Sequence, residues 1–161
     1  MKMYKKNKSL FKDVFVILIA FVCLISVPGS AGAWNFTIPA QEIQPADGVF
    51  SFPVSDFSDG KARYFVYKSP QDQKFRFFIV KSADGLVRAA FDACDVCFPG
   101  KKGYVQQGDQ MVCVKCGLKF RTDRINEVKG GCNPAPLNRA VSDGYVVITE
   151  QDVLSGLKYF K

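Results

Sequence analysis

Five of the six cysteines in this 161-residue chain fall between Cys94 and Cys132. Four of them make two Cys-x-x-Cys pairs, Cys94 with Cys97 and Cys113 with Cys116, and fifteen residues separate the pairs. Cys-x2-Cys-x15-Cys-x2-Cys is a metal-site spacing. Each pair can place two sulfurs on one side of a tight turn, and two such turns brought together make a four-sulfur cage. Thiolate is the ligand form, so each cysteine gives up a proton on binding. Gly117, directly after Cys116, suits the left-handed turn that aims backbone N–H groups at sulfur, whereas the first pair is followed by Phe98 and Pro99. Lys101, Lys102, Lys115 and Lys119 lie nearby and read as a solvated surface.

A four-cysteine set suits zinc, a single iron, an iron–sulfur cluster or Cu(I), and spacing does not separate these. Cys132 is a fifth thiol, in a Gly-Gly-Cys-Asn-Pro turn. It reads either as a buried small residue or as a further cofactor-binding sulfur, since a structural zinc site needs only four ligands. Two long-range disulfides with one thiol left over would also use five cysteines. Thiol–disulfide exchange is disfavoured because that motif usually opens a helix in a βαβ unit, and strands surround both pairs here. The chain has no histidine. That removes His-based triads, histidine metal ligands and Cys-x-x-Cys-His haem attachment. Asp92 and Asp95 flank the first cysteine and read as turn-capping residues rather than a catalytic pair. The residues point to a metal-binding or electron-transfer component rather than an enzyme.

The elements that must position these sulfurs read as β-strands. Val49 to Val54 is a short strand, and Ser55 to Gly60 a turn. Ala62–Lys68, Lys74–Lys81 and Leu86–Phe91 form a run of hairpins with turns at Ser69–Gln73 and Ser82–Gly85. Their aromatics, Tyr64, Phe65, Tyr67, Phe75, Phe77, Phe78 and Phe91, read as core. Tyr104 to Val112 is a tight hairpin turning at Gly108–Asp109, and its return strand runs into Cys113. Each cysteine pair therefore follows a strand. Gly144 to Thr149 is a further strand, and Glu150 to Phe160 a helical turn with a tail. The expected fold is α+β, mostly β: a small antiparallel sheet with a ribbon-like four-cysteine metal site on hairpin turns.

The N-terminus bears on location. Lys2, Lys5, Lys6, Lys8 and Lys12 precede a 14-residue uncharged apolar run, Val14 to Val27, and Ala31-Gly-Ala33 has the form of a cleavage site. Residues 1–33 thus read as a signal peptide, or else as an N-terminal membrane anchor, although the run is short for a span of about 20 residues. Residues 34–161 are left as a single cysteine-rich domain of ordinary size. The leader holds +4 of the +7 net charge, leaving +3 for the rest, and no basic run interleaves with aromatics. Nucleic-acid binding has no support. Asn35-Phe-Thr37 matches a glycosylation sequon, which a bacterial-looking leader discounts.

Four pieces together carry a resemblance: Phe91-Asp-Ala-Cys-Asp-Val-Cys97, Lys102-Gly-Tyr104 with Gln107-Gly-Asp109, Val112-Cys-Val-Lys-Cys-Gly117, and Gly130-Gly-Cys-Asn-Pro-Ala-Pro-Leu137. In this order, over residues 50–160, they resemble the FtrD-like family of bacterial membrane-associated iron–sulfur proteins. The resemblance implies an iron–sulfur cluster or iron as cofactor, with zinc or Cu(I) as alternatives. It implies Cys94, Cys97, Cys113 and Cys116 as metal ligands, with Cys132 as the family's further cysteine. It also implies a role beside a membrane permease and periplasmic metal-binding proteins in envelope iron transport, passing electrons or metal. Many relatives carry several transmembrane helices, whereas this chain has one apolar segment.

Overall fold

The structure, a computed structural model, describes residues 38–161. The expected leader and cleavage site and the Asn35 sequon lie outside the described residues.

The aromatic hairpins build the middle of the fold. Strands β3 (Arg63–Lys68), β4 (Lys74–Lys81) and β5 (Val87–Phe91) pair antiparallel, and β1 (Gln41–Ile43) adds to β3 in parallel, giving the order β1-β3-β4-β5. Side chains alternate across a strand, so a strand buried on both faces shows an unbroken apolar run. β4 is such a strand. Phe75, Phe77 and Ile79 enter one core, and Phe78 and Val80 enter another.

The first core is closed by a second sheet, β2 (Val49–Pro53), β10 (Tyr145–Thr149) and β9 (Ala140–Ser142), all antiparallel. Phe50, Val146 and Ile148 project from it against Phe65, Tyr67, Phe77 and Phe91. The second core is closed by a third sheet, β6 (Tyr104–Gln107), β7 (Gln110–Cys113) and β8 (Lys119–Arg121). Tyr104, Met111 and Cys113 from that sheet pack with Tyr64, Phe78 and Val80. The central sheet is thus sandwiched between two smaller ones, and only the third sheet carries sulfur. A helical turn, α1 (Glu150–Leu154), follows β10. It is opened by a capping box in which Thr149 accepts from the Asp152 N–H and Asp152 from the Thr149 N–H.

The mostly-β expectation holds, with three sheets among the described residues in place of one. Residues 41–43, 119–121 and 140–142 are strands that the sequence reading left within connecting segments. Each is three residues long, too short for a period-two pattern, and each is fixed by pairing with a longer neighbour. The hairpin between β6 and β7 turns at Gly108 and Asp109 as read, with Gly108 at φ +59.

Candidate metal centre

Three loops carry the five cysteines. The first leaves β5 at Phe91 and returns as β6 at Tyr104. The second links β7 to β8. The third runs through Gly130, Gly131 and Cys132.

The first loop is anchored by Asp92, which is 8 % exposed. Its carboxylate accepts from Arg76 Nε at 2.6 Å and from the Tyr104 N–H at 2.7 Å. It is therefore not a turn cap. It binds the central sheet to the start of the sulfur-bearing sheet. Burial raises its pKa, and the Arg76 guanidinium and the Tyr104 N–H oppose that shift by favouring the carboxylate. Gly103 makes room for it: a Cβ there would meet Asp92 Oδ1 at 2.4 Å, and the residue has φ +66. Asp95, one residue past Cys94, accepts from Lys158 Nζ at 3.0 Å and from the Tyr159 hydroxyl at 2.8 Å. These contacts tie the loop to the C-terminal segment. The Cys97 N–H points back to Cys94 Sγ at 3.1 Å, the N–H···S contact expected inside a Cys-x-x-Cys turn.

The second loop closes on itself, with Cys113 N–H to Leu118 O at 2.9 Å and Gly117 N–H to Cys113 O at 2.8 Å. Gly117 takes φ +74, the left-handed conformation its position requires. The Val114 N–H reaches Gly103 O at 2.9 Å and joins this loop to the first. The third loop is held from both ends. The Tyr104 hydroxyl donates to Cys132 O at 2.6 Å. Three residues on, Ala135 accepts from the Phe91 N–H and donates to Ala93 O.

The sulfurs meet in two groups. Cys94, Cys97 and Cys132 lie within 4.8 Å of one another, and so do Cys97, Cys113 and Cys116. Cys97 belongs to both, and no four sulfurs among the described residues share such a group. Cys97 Sγ and Cys132 Sγ are 3.7 Å apart. A metal–sulfur bond of about 2.3 Å places two thiolates about 3.8 Å apart along a tetrahedral edge. The donor set is therefore soft, all sulfur, and spaced for a metal ion, and it fits iron, zinc or Cu(I). All five thiols are free, with Cys94, Cys97 and Cys113 buried, Cys132 half-buried and Cys116 exposed.

The electrostatics divide the thiols. Burial pushes Cys97 and Cys113 up to about 12, and burial also raises Cys132. Cys116 is lowered, chiefly by the Leu118 N–H. Burial works to raise Cys94, but the neighbouring Tyr104 hydroxyl and the N–H groups of Cys97 and Val96 outweigh it and leave it lowered. Burial also raises the Tyr104 hydroxyl, which stays protonated as a donor.

The structure thus brings all four Cys-x-x-Cys sulfurs and Cys132 to one place. Sequence reasoning missed Arg76 as the partner of Asp92 and Tyr104 as the support of Cys132. Tyr104 lies in a quoted motif, but nothing local marks either contact, since the partners are 16 and 28 residues apart.

The chain matches the model of the family described as membrane iron–sulfur containing protein FtrD-like over residues 57–160. No curated protein and no solved structure matches it. No helix among the described residues is long and apolar enough to cross a membrane. The matched stretch runs from Phe57, at the end of the turn that follows β2, to the C-terminal segment and takes in every sulfur of the centre, so the chain belongs to the FtrD-like family of membrane iron–sulfur proteins.

Proposed function

We propose that this chain is an exported, non-enzymatic metal carrier of an envelope iron-transport system. It holds iron on cysteine sulfur and passes electrons or metal between a membrane permease and periplasmic metal-binding proteins. The observation that supports this most is the convergence of five free thiols from three loops, with no histidine in the chain to serve hydrolytic chemistry. Cys94, Cys97, Cys113 and Cys116 serve as ligands and Cys132 as the further sulfur. Iron on thiolates would supply one-electron redox chemistry whose potential the surrounding hydrogen bonds tune.

The chain's own residues do the rest. Asp92, with Arg76, fixes where the first loop leaves the sheet, and Tyr104 holds the third loop against it. Burial of Cys94, Cys97 and Cys113 keeps water from the inner sulfurs, while exposed Cys116 gives the centre a face toward solvent. Val96, Val114 and Leu118 are exposed, each within two residues of a cysteine. Residues 1–33 act as the export leader or as an anchor that keeps the domain, residues 34–161, at the membrane.

The test is the metal, sulfide content and visible spectrum of the full-length chain purified without oxygen from cells that export it. Iron with sulfur-to-metal charge-transfer absorption, lost in Cys113→Ser, is the expected result. One zinc per chain with no visible band overturns the electron-transfer reading and leaves a structural zinc module that docks a partner.

A further inference from the structure

We propose that the centre is binuclear, with two thiophilic metal ions bridged by the Cys97 thiolate. One ion sits on Cys94, Cys97 and Cys132, the other on Cys97, Cys113 and Cys116. This rests on the reading of the cysteines as a metal centre and adds its nuclearity and the separate role of Cys97.

Two observations carry it. The first is the grouping. A single tetrahedral ion held by cysteine alone needs four sulfurs that are all mutual neighbours, and the five thiols instead form two triads with one member in common, each supplying three sulfurs and leaving a fourth position for solvent or another ligand. One ion on either triad leaves two sulfurs without a metal, one of them buried Cys94 or Cys113. Two ions use all five. The second observation is what surrounds each buried sulfur. Cys94 Sγ accepts from the Cys97 N–H at 3.1 Å. Backbone donors of this kind support a terminal thiolate, which keeps lone pairs free after binding one metal. Cys97 Sγ instead lies within 4.8 Å of the sulfurs of the other four cysteines, Cys94, Cys113, Cys116 and Cys132. A sulfur that belongs to both triads stands where a thiolate bridge between two metals would.

Charge agrees with the count. Four thiolates on one divalent ion carry a formal charge of about −2, and five on two such ions about −1. Less net charge is then held in a site whose inner sulfurs are buried. Loading is balanced by proton release: each of the five thiols forms its metal bond as its S–H proton leaves to solvent.

The experiment loads the full-length apo chain with cadmium(II), a thiol-seeking divalent probe, without oxygen. Native mass spectrometry counts the ions, and NMR of the spin-half cadmium isotope reads their coupling. Two ions per chain are expected, giving two resonances that split one another through the shared sulfur. Cys132→Ser is expected to leave one ion and one unsplit resonance. Cys97→Ser is expected to abolish the splitting and lower the count to one or none. Should Cys97→Ser fail to fold, the wild-type splitting and Cys132→Ser still decide. A single cadmium on the wild-type chain, two resonances without mutual splitting, or two ions retained by Cys97→Ser overturns the bridge and leaves a metal-binding centre standing. No cadmium bound at all overturns both.

Discussion

The two faces of the central sheet bury the same strands against different materials. On one face, Phe65, Phe77 and Phe91 meet Phe50, Val146 and Ile148 in an aromatic and aliphatic core that holds no sulfur. The rings meet at close, mostly edge-on or tilted angles, Phe65 with Phe77 at 5.6 Å and Phe50 with Phe77 at 6.4 Å. On the other face the covering strands have four, four and three residues, and three buried members of the core are cysteines. The first face needs only apolar burial, which is non-directional and tolerates small adjustments. The second is held by directed contacts, Arg76 to Asp92, Asp92 to Tyr104, and Tyr104 to Cys132. Directed contacts fix the positions of a few atoms without supplying much bulk stability. Labour is divided between the two faces: the carbon face holds the fold, and the polar seam places the sulfurs.

That division is broken most severely at Phe77. It is fully buried, lies opposite Phe65 on one side and Phe91 on the other, and touches both sheets of the carbon core. Phe77→Ala is expected to cost about 3–5 kcal/mol, the usual range for emptying an aromatic site in a packed core. Urea unfolding of the apo chain measures it. Cys113→Ser is the contrasting change. It should lose metal while the apo chain unfolds near the wild-type midpoint. If Cys113→Ser destabilises the apo chain as much as Phe77→Ala does, the two faces are not separable.

A smaller effect is expected at the seam. In Gly103→Ala the new methyl group would stand 2.4 Å from Asp92 Oδ1, at a residue whose φ is +66. The carboxylate must move off the Tyr104 N–H or off Arg76, leaving a buried polar group short of a partner. About 2–3 kcal/mol is expected. Metal affinity should fall with it, because the entry to β6 positions both the first loop and Tyr104. Asp92→Asn keeps the acceptor for the Tyr104 N–H and loses the charge opposite Arg76, so it should fall between Gly103→Ala and wild type. Denaturation midpoints and cadmium competition titrations of the three proteins check the order. A Gly103→Ala chain with wild-type metal affinity would show that the seam does not place the sulfurs.

The carbon face was legible in the sequence because its signal is local. Lys74 to Lys81 alternates between two cores within one strand, and the strand was read with the bounds it has. The cysteine pairs were legible for the same reason, since a Cys-x-x-Cys turn is complete in four residues. What was not legible is relational. Spacing places Cys94 and Cys97 on one loop but does not say which sulfur faces the other loop, so the sharing of Cys97 by two triads could not be read. Asp92 looked like a turn residue because Arg76 and Tyr104, which make it a buried junction, lie 16 and 12 residues away. Arg88 escaped notice in an apolar strand. Yet it is 3 % exposed and donates to Ile125 O, Glu127 and Asp84, across the edge toward the segment after β8.

The smallest expected effect is the sharpest test of the seam, because it removes one oxygen. Tyr104→Phe keeps the ring against Phe78 and Phe120, at 6.3 and 6.2 Å, and deletes only the hydroxyl that donates to Cys132 O. A neutral hydrogen bond of this kind contributes about 1 kcal/mol, and half-buried Cys132 lets water take part of the lost contact. The unfolding midpoint should therefore shift little. The local consequence is larger: with its carbonyl released, the third loop is freer, and Cys132 in the apo chain should react faster with an alkylating reagent while buried Cys94 and Cys113 do not. Tyr64→Phe is the control, since that hydroxyl donates to Tyr104 O and does not reach the third loop. If both variants accelerate Cys132 equally, the effect is general loosening of the sulfur-bearing sheet. If only Tyr104→Phe does, a single hydroxyl on the polar seam sets the position of the fifth sulfur.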